Sequence, residues 1–186
     1  MKTTTQRIAN VTEPQGKAAE LLEGVRKALG STPNLFTTFA NAPAALEGYL
    51  GLNGALAGGK LGPKTRESVA LAVAGFNGCD YCASAHTYLG ENLAGLAPDE
   101  TAANLRGESA DPKTRVALRF ARKLLEKRGR TTLLDLEEVR DAGYSDEEII
   151  EILTHVALNT LTNYFNEAFK VEVDFPRHVS TAGTRP

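Results

Sequence analysis

A chain of 186 residues, 42% hydrophobic and 24% charged, has the length for one substantial core and the composition of an ordinary globular protein. A formal net charge of −2, with no basic block or basic helix face, argues against a nucleic-acid partner or a charged membrane surface. No apolar run approaches the roughly 18–20 residues that cross a bilayer, and Met1–Thr12 lacks the apolar stretch of a secretory signal, so a cytoplasmic location is expected.

The chain reads as one all-α domain over 1–186, with 1–13 and 176–186 as loose polar arms. Pro14 and Gly30-Ser31-Thr32-Pro33 bracket a first helix that carries Ala18, Leu21, Leu22, Val25 and Leu29 on one face. A short helix from Asn34 to Ala40 follows, then one from Pro43 to Ala57 stopped by Gly58-Gly59. Gly62-Pro63 opens a helix to about Gly75, with proline at a favoured first position. Phe76-Asn77-Gly78 is a turn, and the next helix runs from near Cys79 to about Leu93. Asp111-Pro112 starts a helix with Val116, Leu118, Phe120, Ala121 and Leu124 on its apolar face. A short helix spans Leu134–Asp141. Ser145 with Glu148 three residues on is a capping box for a last helix, whose apolar positions are Ile149, Ile152, Leu153, Val156, Leu161, Tyr164, Phe165 and Phe169. Strand signals are nearly absent. Pro-Lys-Thr-Arg opens both the helix at 63 and the helix at 112, a weak hint of a duplicated unit.

Function is concentrated in one string. Glu67, Cys79, Cys82 and His86 form E-x11-C-x2-C-x3-H, which holds both cysteines of the chain. In a reducing compartment a lone CxxC pair is more often catalytic or metal-binding than structural. On a helix starting near Cys79, positions i, i+3 and i+7 make one narrow stripe, so both sulfurs and the imidazole face the same way. Cysteines in a first turn feel unpaired N–H groups and the positive end of the helix dipole, which favours thiolate. Glu67 lies about 15 Å of helix before the turn and His86 about 12 Å after it. If the two helices fold back antiparallel, the carboxylate comes alongside the imidazole and orients it, building a proton relay.

The same residues admit other readings. Free cysteines pack well in cores, but His86 on the same stripe has no packing explanation. Zinc is the more serious rival, with Cys79, Cys82 and His86 as ligands and His155 as a fourth, although no second ligand pair stands elsewhere in the chain. His155 reads better as a hydrogen-bonded core histidine, and His178 as solvated. Asn159, Asn163 and Asn166 more often cap or bridge helices than catalyse. Tyr81 is off the stripe and is kept only as a supporting residue behind the redox groups.

Glu67, Cys79-Asp80-Tyr81-Cys82, His86 and Gly90 resemble the motif of the alkylhydroperoxidase D (AhpD) family, within the carboxymuconolactone decarboxylase-like superfamily. Thr65–Ala74 and Asn159–Asn166 resemble that family's core as well; the specific match covers Leu61–Leu93. The resemblance implies an AhpD-like multi-helix fold, with a central antiparallel helix pair carrying the CxxC motif, that assembles into trimers or hexamers. It also implies a peroxidase of organic hydroperoxides or hydrogen peroxide that needs no cofactor. Cys82 would be the attacking thiolate, Cys79 the thiol that closes a redox-active Cys79–Cys82 disulfide, and Glu67 and His86 the proton relay. Electrons would come from a dithiol protein, lipoyl-bearing or thioredoxin-like. The helix-start argument instead favours Cys79 as the more acidic thiol; proximity of Cys82 to His86 tips the choice to Cys82. The alternative activity is a disulfide oxidoreductase or redox sensor acting on protein or small-molecule disulfides.

Overall fold

The computed structural model describes residues 5–180. Nine α-helices occur among them: α1 (Gly16–Leu29), α2 (Asn34–Phe39), α3 (Pro43–Ala57), α4 (Pro63–Asn77), α5 (Asp80–Leu89), α6 (Pro98–Leu105), α7 (Pro112–Glu126), α8 (Leu133–Asp141) and α9 (Asp146–Phe169). No strand is found among the described residues. The expected all-α architecture is what the described residues adopt.

The order of the core follows from α4. Every residue from Ser68 to Gly75 is buried, and a helix that is apolar all round belongs in the middle of a fold. One side of α4, through Leu71 and Ala74, joins a cluster with Leu22, Leu35, Phe39, Leu46, Tyr81, Cys82 and Leu105. The other side, through Val69, Ala72 and Val73, joins Leu118, Ala121, Leu124, Val139, Ile149, Ile152 and Val156 from α7, α8 and α9. Cys79 and Cys82 therefore stand in the first of two cores that share a central helix.

Local signals set the ends. Pro63 and Pro112 each occupy the start of their helix. Thr132 with Asp135, and Ser145 with Glu148, close capping boxes on α8 and α9, each satisfying two N–H groups the helix start leaves bare. The two Pro-Lys-Thr-Arg starts also use their arginines alike. Arg66 Nη1 donates to the carbonyl of Ala57 at 2.6 Å, and Arg115 Nε to that of Ser109 at 2.8 Å.

Residues 98–105 form α6, a helix the sequence reading did not assign. Three expectations need correction. The helix expected to reach Leu93 leaves α geometry at Gly90 and continues as a five-residue π-helical turn, Gly90–Ala94. Of the apolar positions assigned to the face of α9, Leu153, Leu161 and Tyr164 are exposed. Finally, the described parts of the two arms are tied down. Arg7 N–H donates to the carbonyl of Phe169 and Val11 N–H to that of Thr37. At the other end His178 N–H donates to Ser84 Oγ, and Ser180 N–H to Asp80 Oδ1. Positions 1–4 and 181–186 of those arms lie outside the described residues.

Candidate redox site

The turn between α4 and α5 builds the site. Gly78 takes φ +72°, in the left-handed region, and caps α4 by donating to the carbonyl of Ala74. That conformation is easy only for glycine, and it lets α5 begin two residues later and fold back along α4. Cys79 is the N-cap of α5, and its sulfur accepts from the Cys82 N–H at 3.3 Å. Folding back brings Glu67 Oε2 to 2.8 Å from His86 Nδ1, the contact expected from the helix lengths.

All four groups are thus in one place. Cys79 and Cys82 are free thiols, 0% and 2% exposed. Glu67 and His86 keep about a fifth of their side chains open, 22% and 21%. The Cys82 sulfur has a donor that only the tertiary fold supplies: Asn166 Nδ2 of α9 lies 3.2 Å away.

The electrostatics separate the two thiols. For Cys82 burial opposes ionisation, but the hydrogen bond from Cys79, the charge of His86 and the amides of Asn166 and Asn163 outweigh it, and its thiol is held below the ordinary range. Cys79 is driven far the other way by its hydrogen bond to Cys82, by burial and by the neighbouring sulfur's charge. The balance of charge and hydrogen bonding favours a thiolate on the second cysteine and a protonated first one, despite the first one's place at the helix start. For His86 burial disfavours the cation, yet the charge and hydrogen bond of Glu67, with help from Cys82 and Asn159, raise it above the usual imidazole range.

Tyr81 points elsewhere. Its hydroxyl donates to Asp174 Oδ1 at 2.8 Å and accepts from the Leu35 N–H at 3.1 Å, so it clamps α2 and the segment after α9 onto α5. His155 is a buried core residue, as expected, but its Nε2 has no hydrogen-bond partner; burial and nearby Arg66 lower its pKa and keep it neutral. Among the described residues no three His, Cys, Asp or Glu side chains gather as a metal-binding group, so the donor set weighed for zinc does not assemble.

Residues 43–126 match the model of the carboxymuconolactone decarboxylase family. The fold matches the alkylhydroperoxidase AhpD core of a peroxidase-related protein from Ralstonia eutropha JMP134, at 25% identity and TM-score 0.75, over 89% of this chain and 92% of that one. The chain thus has an AhpD-like fold, and its central part is similar to the carboxymuconolactone decarboxylase family. A peroxidase-related protein from Silicibacter sp. TM1040 shares the fold over 99% of this chain and 98% of its own, at 22% identity and TM-score 0.78. So does the debrominase Bmp8, solved in complex with 2,3,4-tribromopyrrole, at 20% identity and TM-score 0.73 over 94% and 93%. No curated protein matches the sequence.

Two contributors to this site escaped the sequence reading. Asn166 was visible as a core amide, without a link to Cys82. Tyr49 of α3 was not singled out at all. Its hydroxyl is pushed above the usual phenol range by burial and by the charges of Cys82 and Glu67, and its ring lines a cavity with Glu67, His86 and Asn159. No motif marks it; only the packing of α3 brings it there.

Proposed function

We propose that this chain is a thiol-dependent peroxidase working through Cys82, Cys79, His86 and Glu67. The observation that carries the reading is the environment of Cys82. Its sulfur accepts from an amide at 3.2 Å and feels the charge of an imidazole that is itself braced by a carboxylate at 2.8 Å. A second thiol lies one helical turn away.

In this mechanism His86 takes the Cys82 proton. The thiolate attacks the hydroxyl oxygen of R–O–O–H, an S–O bond forms as the O–O bond breaks, and sulfur loses the two electrons the peroxide gains. The departing RO⁻ takes the proton back from the His86 imidazolium and leaves as ROH. Cys79 then attacks the sulfenic acid, giving the Cys79–Cys82 disulfide and water. An external dithiol returns both electrons and both protons. We assign that role to a lipoyl-bearing or thioredoxin-like protein, with a cytoplasmic setting; no described helix is long and apolar enough to cross a membrane. Tyr81 supports the site by fixing the start of α5. The disulfide oxidoreductase reading, which the same four residues would serve, stands second.

The test is a single turnover of the reduced protein with one equivalent of hydroperoxide, quenched with a thiol alkylator and read by intact mass. The parent should lose both thiols far faster than a small free thiol does. Cys79→Ser should accumulate a sulfenic acid on Cys82, and Cys82→Ser should be inert. A parent no faster than the free thiol overturns the peroxidase reading.

A further inference from the structure

Residues 171–180 run back across the start of α5 with no helical structure of their own. Their first half is anchored to several elements. Val171 N–H donates to the Asn166 carbonyl, and Asp174 accepts from the Asn34 N–H and the Tyr81 hydroxyl, both at 2.8 Å. The second half is held differently. Among the described residues, the hydrogen bonds of 176–180 all end on two side chains of α5, Ser84 and Asp80. His178 N–H donates to Ser84 Oγ at 2.9 Å. Ser180 donates twice to Asp80 Oδ1, from its N–H at 2.9 Å and its hydroxyl at 2.7 Å. Residues 176–179 are exposed, Val179 by 74%. A segment with few buried contacts and exposed hydrogen bonds opens at low free-energy cost.

This strap borders the redox pair. It forms one wall of a cavity of about 580 Å³, through Arg177, His178 and Val179. Gly78 and Asp80, the chain neighbours of Cys79, line the same cavity, and so does Asn166, whose amide donates to the Cys82 sulfur. The cavity shares no residue with the one at Glu67 and His86. Cys79 itself is 0% exposed, so a reagent reaches its sulfur only when a wall moves. The chemistry of a disulfide points to the same sulfur. A thiolate attacking a disulfide preferentially expels the sulfur with the lower thiol pKa. Cys82 is held low by its neighbours and Cys79 is driven high, so attack on Cys79 with departure of Cys82 is the faster route.

We infer that residues 176–180 gate the reductive half of the cycle: when they lift from Asp80 and Ser84, a dithiol enters this cavity and attacks the Cys79 sulfur. This rests on the Cys79–Cys82 disulfide of the reading above and gives its reductant a point of entry. One thiolate of the dithiol bonds to the Cys79 sulfur as the S–S bond breaks, and the electron pair leaves on Cys82. The second thiolate then attacks the first sulfur of its own molecule. The dithiol departs as a disulfide, and Cys79 takes up one proton. The dithiol's other proton passes through solvent to His86, which restores the Cys82 thiolate beside an imidazolium. Two electrons have moved from the dithiol to the pair. Peroxide reduction and dithiol oxidation thus use different cavities.

In the experiment the disulfide of the full chain is formed with diamide, so the test does not depend on any peroxide. Its reduction by dithiothreitol is followed by intact mass in the parent, in Ser180→Pro, which lacks both donors to Asp80, and in Ser180→Thr, which keeps them. Ser180→Pro should be reduced faster by about tenfold or more, because two hydrogen bonds to a carboxylate no longer hold the strap shut. Ser180→Thr should match the parent. In a second arm the oxidised parent is treated with 2-mercaptoethanol, trapped with N-ethylmaleimide and mapped by peptide mass. Mercaptoethanol should be found on Cys79 and the maleimide on Cys82. Equal reduction rates in the parent and Ser180→Pro, a gain shared by Ser180→Thr, or mercaptoethanol on Cys82 each overturn the inference and leave the peroxidase reading standing. A Ser180→Pro that also reacts with hydroperoxide tenfold faster overturns it too, since the strap would then cover both half-reactions. If diamide closes no disulfide between Cys79 and Cys82, the inference fails together with the resolving step it rests on.

Discussion

The pairing of a lowered thiol with a raised imidazole has a consequence for pH. Cys82 ionises below the roughly 8.5 of a free cysteine, and His86 keeps its proton above the roughly 6.5 of a free imidazole. The peroxide step needs the thiolate and a proton to give to the leaving oxygen. Its rate should therefore rise with pH as Cys82 ionises and fall again as His86 loses its proton, a bell whose two limbs belong to the coupled pair. Glu67→Gln removes the carboxylate charge that lifts His86. His86 should then deprotonate at lower pH, and Cys82, with less positive charge beside it, should ionise at higher pH. The limbs move towards each other, and the rate near neutrality should fall by about 10²-fold. A pH–rate profile of Glu67→Gln that overlays the parent's would remove Glu67 from the mechanism.

Between α4 and α6 the backbones come together at one point, Gly75. A Cβ added there would fall 1.8 Å from the carbonyl oxygen of Leu105, and backbone on both sides leaves nothing flexible to yield. Gly75→Ala should cost at least about 1–3 kcal/mol, the usual range for overpacking, and lower the thermal midpoint by several degrees. An unshifted midpoint in thermal unfolding would mean that α6 does not dock as described. This close approach also shows where sequence reading stops. Helix starts and stops were legible because they are local chemistry: proline at a first turn, Ser145 with Glu148, Gly78 in a short turn. The Glu67–His86 contact was legible because two helix lengths and one short turn fix it. Gly75 as a contact point, the docking of α6 and the amide of Asn166 on the Cys82 sulfur depend on helices distant in sequence meeting in space. The π-helical turn at Gly90–Ala94 is likewise set by what surrounds it, since Gly90 packs against Leu96 and Thr101 with a Cβ position only 3.2 Å and 3.4 Å from them.

Seen as a whole, the molecule leaves an apolar stripe without cover. Ile150, Leu153, Leu161 and Tyr164 of α9 are 65%, 48%, 47% and 63% exposed. Their spacing of three, eight and three places them along one side of the helix. The sequence pattern assigned Leu153, Leu161 and Tyr164 to the core, because periodicity reports that a face is apolar and not which molecule covers it. Contiguous apolar surface on a helix marks an interaction site more often than an accident, and the helix carrying it also supplies Asn166 to the Cys82 sulfur. A second copy of the chain is the occupant we propose, in line with the homo-oligomer that the AhpD resemblance implies. Fully burying side chains of this size contributes about 1.5–3 kcal/mol each, enough for a few of them to hold copies together. The parent should therefore sediment as a multiple of its 19.9 kDa chain, with a thermal midpoint that rises with protein concentration. Leu153→Glu with Leu161→Glu places two charges where they would have to be desolvated in an interface, yet both positions are open to water in the single chain. That double variant should fold, by its helical circular dichroism, and sediment as one chain. A parent that is monomeric at tens-of-micromolar concentration, or a double variant of unchanged mass, would rule the stripe out as the contact between copies.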